Sequence, residues 1–360
     1  MCRSGFGHTA VPASGTLHGV TIGTQEPVRT RLWRQGRLAA TDFPLAEVSD
    51  HLEEDGALVW LDLCDPDHAQ LCELAEELAL DQHAVEDVLA HAERTKATRY
   101  AHHTFLTVYA TRLTVDAPPD SLGSRLRTSR VSVFVLPRGI VTVRRADAGS
   151  AGFDMEEVLR RWDDNSDLLQ HGTAALLHGL LDVIVDGQFD AIQSLDDAIE
   201  DLEEGLFDDR AQTRVIQRHT YRARKELVEL RRVVLPMREV VTAVMRHREE
   251  HGSSVALDSW YADLYDHVIR ATEWTESLRD MVTTVFETNL SLQDARLNTV
   301  MKKLTGWAAI IAVPTAVTGW YGQNVPYPGF GHNGGVVSSA VVIVAAAALL
   351  YVVFKRRGWL

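Results

Sequence analysis

The feature that most constrains this chain is a long segment without charge near its C-terminal end. Residues 304–354 contain no Lys, Arg, Asp or Glu, although 24% of the whole chain is charged. The segment divides into two apolar runs, residues 304–321 and 336–354, each close to the roughly 20 residues that a helix needs to cross a bilayer. Because backbone N–H and C=O groups in lipid must form hydrogen bonds within the protein, the sequence predicts two transmembrane helices. Two buried helices of a soluble core are the alternative, but the second run lacks a polar face for solvent.

Basic residues flank both runs on one side only. They are Lys302, Lys303, Lys355, Arg356 and Arg357. The intervening residues 322–335 contain no Lys or Arg. Since positive residues concentrate on the cytoplasmic side of membrane spans, we expect both termini in the cytosol and the loop facing outward. This predicts a multi-pass protein of the cell membrane, in contact with the lipid bilayer. Two helices cannot enclose a pore, so any transport role requires an oligomer.

Composition excludes several functions for the remaining chain. The net charge of −14 argues against nucleic acid as a partner. No Gly-rich phosphate loop or dinucleotide fingerprint is present, so we expect no nucleotide. No nucleophile–base arrangement is evident, so we expect no enzyme. An acidic cytosolic body tends instead to concentrate cations.

The patterning predicts an α+β membrane protein. Short β-branched and aromatic runs, such as residues 57–63 and 104–113, alternate with helical stretches and indicate a cytosolic α/β domain with a largely antiparallel sheet. Later residues are helical in pattern. The predicted segments are a flexible N-terminus (1–27), the α/β domain (28–150), a helical hairpin region (151–252), a stalk helix (253–303), two spans (304–321 and 336–354) around an outer loop (322–335), and a basic cytosolic tail (355–360).

The predicted stalk runs without interruption into the first span. Residues 253–305 contain neither Gly nor Pro. Apolar or semi-apolar residues recur at spacings of four and three, which indicates a heptad-like seam. The residues of this predicted seam are Trp260, Leu264, His267, Ala271, Trp274, Leu278, Met281 and Val285.

These features together resemble the CorA family of divalent-cation channels. The stalk, the two C-terminal spans, the basic tail and a Gly-x-Asn motif at Gly322, Gln323 and Asn324 carry the resemblance. Residues 83–89, 265–267 and 298–305 are similar to segments of the family's soluble domain and stalk. The family's usual tripeptide is Gly-Met-Asn, so Gln323 is a departure. The outer loop also lacks an acidic residue that is often found after the motif.

The resemblance implies a selectivity mouth at Gly322, Gln323 and Asn324. Mg²⁺ holds its waters tightly and prefers octahedral oxygen coordination. The Asn324 carbonyl oxygen, repeated around a ring of subunits, could accept hydrogen bonds from that water shell. Gly322 would let the chain leave the helix with unusual dihedral angles. A Gly helix cap followed by Asn in a turn is the structural alternative.

The resemblance also implies a pore-lining face on the first span and stalk. Its residues are Glu287, Asn298, Met301, Leu304, Thr305, Ala308, Ala312, Thr315 and Gly319. The apolar members could gate by dewetting, and Thr305, Thr315 and the Gly319 carbonyl supply oxygens. Small residues also favour helix–helix packing, and for Ala308 and Ala312 the sequence does not separate the two roles.

A regulatory divalent-cation site is implied at Glu86, Asp87 and Asp263. In the family, the positions matched by Asp87 and Asp263 form a site between the soluble domain and a neighbour's stalk. Bound Mg²⁺ would bridge these carboxylates and hold the subunits closed. Unrelated surface acids are the alternative.

The leading hypothesis is therefore a homopentameric channel for passive Mg²⁺ uptake, gated by cytosolic Mg²⁺. A second hypothesis is transport of Zn²⁺, as in the ZntB branch, or of Co²⁺ or Ni²⁺. A third, from a different class, is a non-conducting membrane-anchored sensor or scaffold, which Gln323 and the acid-free loop keep open.

Overall fold

The computed structural model describes residues 28–114, 124–145, 152–207, 213–250, 254–323, 326 and 330–360. The chain divides into two compact units, with the boundary between Val282 and Thr283. The predicted flexible N-terminus, residues 1–27, lies outside the described residues.

The first unit contains one mixed sheet of seven strands. The strands are β1 (Arg29–Arg34), β2 (Arg37–Thr41), β3 (Ala57–Cys64), β4 (Lys96–Arg99), β5 (Thr104–Leu113), β6 (Leu126–Leu136) and β7 (Gly139–Arg144). Their spatial order is β2-β1-β3-β7-β6-β5-β4. Only β3 and β7 pair in parallel, with Val59 opposite Gly139, and the other neighbours are antiparallel. The prediction of a largely antiparallel sheet is confirmed.

Helices cover both faces of this sheet. They are α1 (Val48–Glu53), α2 (His68–Glu77), α3 (Gln82–Leu89), α4 (Met155–Asp164), α5 (Ser166–Leu169), α6 (Thr173–Leu206), α7 (Thr213–Val234), α8 (Met237–Glu250), α9 (Asp258–Tyr321) and α10 (Asn333–Arg356). One core cluster lies between the sheet and α1–α3, and the other lies between the sheet and α4, α6, α8 and α9. Residues of β3 alternate between them: Val59 and Leu61 join the first, and Trp60 joins the second. Burial on both faces explains why β3 is apolar at nearly every position, with Asp62 as the exception.

A buried ion pair ties β3 to β7. Asp62 and Arg144 are both almost fully buried. Arg144 Nη2 donates to Asp62 Oδ2 at 2.7 Å, and Thr142 Oγ1 donates to Asp62 Oδ1 at 2.6 Å. Arg144 Nη1 also donates to the Phe153 carbonyl oxygen at 2.7 Å. These partners offset the cost of burying two charges, which is large when either is left alone.

The buried seam of α9 differs from the predicted one. Within the first unit it consists of Leu257, Tyr261, Leu264, Val268, Ala271, Thr275, Leu278 and Val282. The 4–3 spacing is as predicted, but alternate positions are shifted by one residue, so Trp260 is exposed and Tyr261 is buried. The Tyr261 hydroxyl donates to the Ala174 carbonyl oxygen at 2.8 Å, and the Arg248 guanidinium lies 4.2 Å from its ring centre. Tyr261 therefore satisfies its polar group inside the core, whereas the Trp260 indole remains at the rim.

The second unit contains the end of α9 and α10. Both helices are long and apolar enough to cross a membrane, and their apolar windows are almost entirely unburied within the chain. The helix α9 continues through the predicted stalk and first span, and it contains Pro314 near its end. The helix α10 begins at Asn333, three residues before the predicted start of the second span and inside the predicted outer loop.

Candidate functional site

The predicted mouth begins where α9 ends at Tyr321. The Gly322 N–H donates to the Thr318 carbonyl oxygen at 2.9 Å, and the Gln323 N–H donates to the Trp320 carbonyl oxygen at 3.3 Å. Asn324 lies outside the described residues. Because the Gln323 N–H turns to Trp320, the Gly319 carbonyl oxygen loses its usual i+4 donor. That geometry is compatible with the predicted role of Gly319 as an oxygen donor.

Gly322 does not adopt the left-handed φ that only Gly tolerates well, so its expected freedom is not used in that way. A Cβ at this position would lie 3.1 Å from the Thr318 carbonyl oxygen, which is tighter than nine in ten Cβ contacts. A larger residue here would therefore require the last turn of α9 to move by a few tenths of an ångström.

The nine predicted pore-lining positions share one face of α9. At about 100° per residue, they fall within about 120° of the helix circumference. All nine are exposed in the single chain. Between Ala308 and Ala316 this face forms an open groove, which is lined by Ala308, Ile311, Ala312, Thr315 and Ala316. These nine positions, which we call the free face, are thus exposed along the described length of α9.

The opposite face of α9 packs against α10. A Cβ at Gly306 would lie 3.4 Å from Leu360 and 3.7 Å from Phe354, so the two helices approach closely there. Near the other end, the Tyr321 hydroxyl lies 3.5 Å from Ser338 Oγ. Ala308 and Ala312 are not part of this intrachain packing, because both are exposed. Pore lining and helix–helix packing against another chain therefore both stay predictions for these two positions.

Asp87 of the predicted regulatory site forms an ion pair with a lysine. Lys96 Nζ, from β4, lies 2.7 Å from Asp87 Oδ2 and 3.2 Å from Glu93 Oε1. Burial lowers the pKa of Lys96, but its hydrogen bonds to Asp87 and Glu93 outweigh burial, so the pKa is raised overall. The side chains of Lys96 and Asp87 are only 20% and 23% exposed. A divalent ion at Asp87 must therefore share or displace this ammonium.

Glu86 and Asp263 remain more accessible. Their side chains are 61% and 70% exposed. Glu86 accepts a hydrogen bond from Gln82 at 3.1 Å, and Asp263 lies 3.9 Å from His267 Nε2. Within the described part of one chain, Glu86, Asp87 and Asp263 do not form a common cluster. A site that uses all three requires a second subunit, as the family resemblance implies.

A second cluster of possible metal ligands consists of two carboxylates on α6 and one histidine on α9. Asp182, Asp186 and His267 offer ligand atoms within 4.8 Å of one another. Arg161 of α4 binds both carboxylates, reaching Asp186 Oδ2 at 2.8 Å. Burial raises the pKa of Asp182, and Arg161 opposes that rise. One guanidinium faces two carboxylates and therefore offsets only part of their charge. The sequence pattern did not indicate this arrangement, because Arg161 is supplied by a separate helix.

Comparison with known proteins gives consistent matches. The protein-family model described as CorA-like Mg²⁺ transporter protein matches residues 55–356. The cobalt/magnesium transport protein CorA of Thermotoga maritima is 29% identical over 278 residues, covering 77% of this chain and 76% of that protein. The structure of the CorA magnesium transporter from Methanocaldococcus jannaschii superposes with a TM-score of 0.69 at 19% identity, covering 92% of this chain and 98% of that one. The ZntB cytoplasmic domain from Vibrio parahaemolyticus, at 13% identity, gives 0.56 and covers 75% of this chain and 100% of its own.

Proposed function

The chain belongs to the family of CorA-like Mg²⁺ transporter proteins, and from this we propose that it is a channel for passive uptake of Mg²⁺ into the cytosol. It would lie in the cell membrane as a multi-pass protein with both termini in the cytoplasm. The basic residues on one side of the two spans support that orientation.

The observation that carries this proposal is the free face of α9. A membrane helix leaves a continuous face unpacked when lipid or another subunit covers it. Within the predicted span this face consists mainly of small and hydroxyl-bearing residues, such as Thr305, Ala312 and Thr315, which favour contact with another helix over contact with lipid. Beyond the span, Glu287 and Asn298 continue the same face as polar groups. Copies of α9 arranged around an axis would turn these groups toward a common pathway. We propose a homopentamer, as the family resemblance implies.

The chemistry of the face suits a hydrated divalent cation. At the mouth, Asn324 would accept hydrogen bonds from the waters of Mg²⁺, so that the ion need not shed them. Further in, Met301, Leu304 and Ala308 form an apolar stretch that would close to ions by dewetting. A small change in pore radius at that stretch would be enough to gate flow.

Cytosolic Mg²⁺ would regulate the channel through Glu86, Asp87 and Asp263. Carboxylate oxygens are the ligands that Mg²⁺ prefers, so the donor set fits the ion. The bond between Asp87 and Lys96 does not prevent binding, but it introduces competition for the same carboxylate. Closure should therefore need more Mg²⁺ than three unpaired carboxylates would need.

Transport of another divalent ion is a second candidate. The similarity to the ZntB cytoplasmic domain favours Zn²⁺, and the name of the Thermotoga relative favours Co²⁺. Ni²⁺ belongs to the same group of candidates. A non-conducting sensor or scaffold remains the candidate from a different class, because Gln323 replaces the family's usual Met.

Ion flux into vesicles containing the purified full-length protein tests these candidates together. We expect Mg²⁺ uptake without an energy source, and loss of uptake in Asn324→Ala with the oligomer intact. Asn333→Ala is a matched control, since it removes the same amide from the other end of the predicted loop and should leave flux unchanged. Flux of Zn²⁺ or Co²⁺ in place of Mg²⁺ would favour the second candidate. Absence of all flux would favour the scaffold.

A further inference from the structure

The segment after α10 folds back onto the start of the first span. Gly358 has φ +69°, and the Trp359 N–H donates to the Phe354 carbonyl oxygen at 2.9 Å. The Gly358 N–H also donates to the Lys355 carbonyl oxygen at 3.2 Å, which completes a Schellman cap. The rings of Phe354 and Trp359 stack with centroids 5.3 Å apart. This reversal carries Leu360 to the Gly306 backbone.

The fold-back gathers cations from two parts of the sequence. Phe354 and Leu360 both contact Gly306, so the basic residues between them lie beside that turn of α9. Lys302 and Lys303 precede Gly306 by four and three residues, or about 6 and 4.5 Å along the helix. The result is a basic belt at one level of the second unit. We define the belt as Lys302, Lys303, Lys355, Arg356 and Arg357.

The belt is exposed, and its charges are not neutralised by neighbouring acids. All five residues are exposed in the single chain. Among the described residues, none of the five forms an ion pair with Asp or Glu, although the chain as a whole carries a net charge of −14. Lys355 Nζ instead lies 5.7 Å from the Tyr351 ring centre. Anions from outside the chain are therefore the natural partners of the belt.

Exposed apolar side chains lie next to the belt, toward the middle of the two predicted spans. Trp307 and Val352 are 51% and 44% exposed and lie within a few residues of the basic positions. A soluble anion would contact only the cations. A phospholipid would place its headgroup phosphate on the cations and its acyl chains along these apolar side chains.

We propose that the basic belt binds the headgroups of anionic phospholipids, with phosphatidylglycerol as the test case. This inference rests on the proposed membrane-spanning role of α9 and α10, but not on which ion is carried. The lipid would join the ends of the two spans where Leu360 already contacts Gly306. The belt is thus a lipid-binding surface in addition to the ion pathway.

The test uses full-length protein purified from mixed phosphatidylcholine and phosphatidylglycerol, with the retained lipids quantified. Wild type should retain phosphatidylglycerol in excess over its share of the mixture. Replacing Arg356 and Arg357 together by Gln should reduce that excess by roughly thirtyfold, since each basic residue near an anionic surface contributes about 1 kcal/mol and 1.4 kcal/mol corresponds to a factor of ten. A matched double variant, Arg37→Gln with Arg214→Gln, removes two exposed charges from the soluble unit and should leave it unchanged.

Three outcomes would overturn the proposal. They are no excess of phosphatidylglycerol in wild type, equal excess in both double variants, and complete displacement of the lipid by soluble glycerol phosphate, which would indicate a site for free anions. Flux in pure phosphatidylcholine vesicles, measured in parallel, separates this inference from the proposed function. Normal flux with no lipid preference would defeat the lipid site alone.

Discussion

Replacing Lys96 by Gln should make the channel more sensitive to cytosolic Mg²⁺. In the wild type, the Lys96 ammonium lies 2.7 Å from Asp87 and 3.2 Å from Glu93. A divalent ion that binds Asp87 must approach this positive charge or displace it. Gln keeps a side chain of similar length that can still donate a hydrogen bond, but it removes the charge.

The expected size of the effect follows from Coulomb's law. A unit charge about 5 Å from a divalent ion, in a water-like dielectric, costs about 1–2 kcal/mol. Because 1.4 kcal/mol corresponds to a factor of ten, removing the charge should lower the half-saturating Mg²⁺ concentration by about tenfold. Asp263→Ala should act in the opposite direction, since a bridge with one carboxylate fewer binds the ion weakly.

Protection of the first unit from proteolysis, measured across a Mg²⁺ titration, reports this shift in the half-saturating concentration. Lys225→Gln is the matched control, because Lys225 forms a 4.0 Å pair with Glu229 on α7 and is 46% exposed. It should leave the midpoint of protection unchanged. An unchanged midpoint in Lys96→Gln would refute the reasoning, because Asp87 would then not be a ligand or Lys96 would not compete for it.

Three further changes test other features of the chain. Asp62→Ala should lower the free energy of unfolding by about 3–5 kcal/mol in a urea titration, because Arg144 would stay buried without its partner; a loss below 1 kcal/mol would contradict that account. Burial lowers the pKa of His103, so the unfolded state protonates first as pH falls below about 6.5, and stability is lost. His103→Phe should therefore lose less stability between pH 7 and pH 5 than wild type, as measured by denaturant midpoints, and a parallel loss in both would argue against it. Gln323→Met should change the ranking of Mg²⁺ against Zn²⁺ or Co²⁺ in vesicle flux with little change in thermal stability, whereas an unaltered ranking would make the residue a spacer.

The sequence predicted the central strands and the long helix because each carries one dominant pattern. The strand β3 is buried on both faces and is apolar apart from Asp62. The hairpin of β1 and β2 was not predicted, because charged residues such as Arg31 and Arg37 interrupt its short apolar stretches, and the short β4 contains no apolar run. Tertiary pairing, not local preference, forms these three strands.

The candidate site could be predicted only in part for a similar reason. The face of α9 follows from helical spacing, which is a local property of the sequence. The partner of Asp87 is not local, since Lys96 reaches it from β4 while Asp87 lies on α3. The heptad seam was displaced by one residue at alternate positions because Tyr261 and Trp260 have similar hydrophobicity. Their different burial follows from tertiary contacts of Tyr261, which include its hydrogen bond to Ala174 and the Arg248 guanidinium over its ring.

The burial of the first turns of α9 in the soluble core also constrains how the chain can fold during synthesis. Leu257, Tyr261, Leu264 and Val268 belong to the same cluster as the sheet and α6. A nascent chain that stops before them leaves a row of apolar side chains on α6 uncovered and prone to aggregation. The sheet can therefore pair early, but the first unit becomes complete only when the polypeptide reaches about Val282, shortly before the predicted first span is made. A soluble fragment intended for crystallisation should likewise extend to that residue.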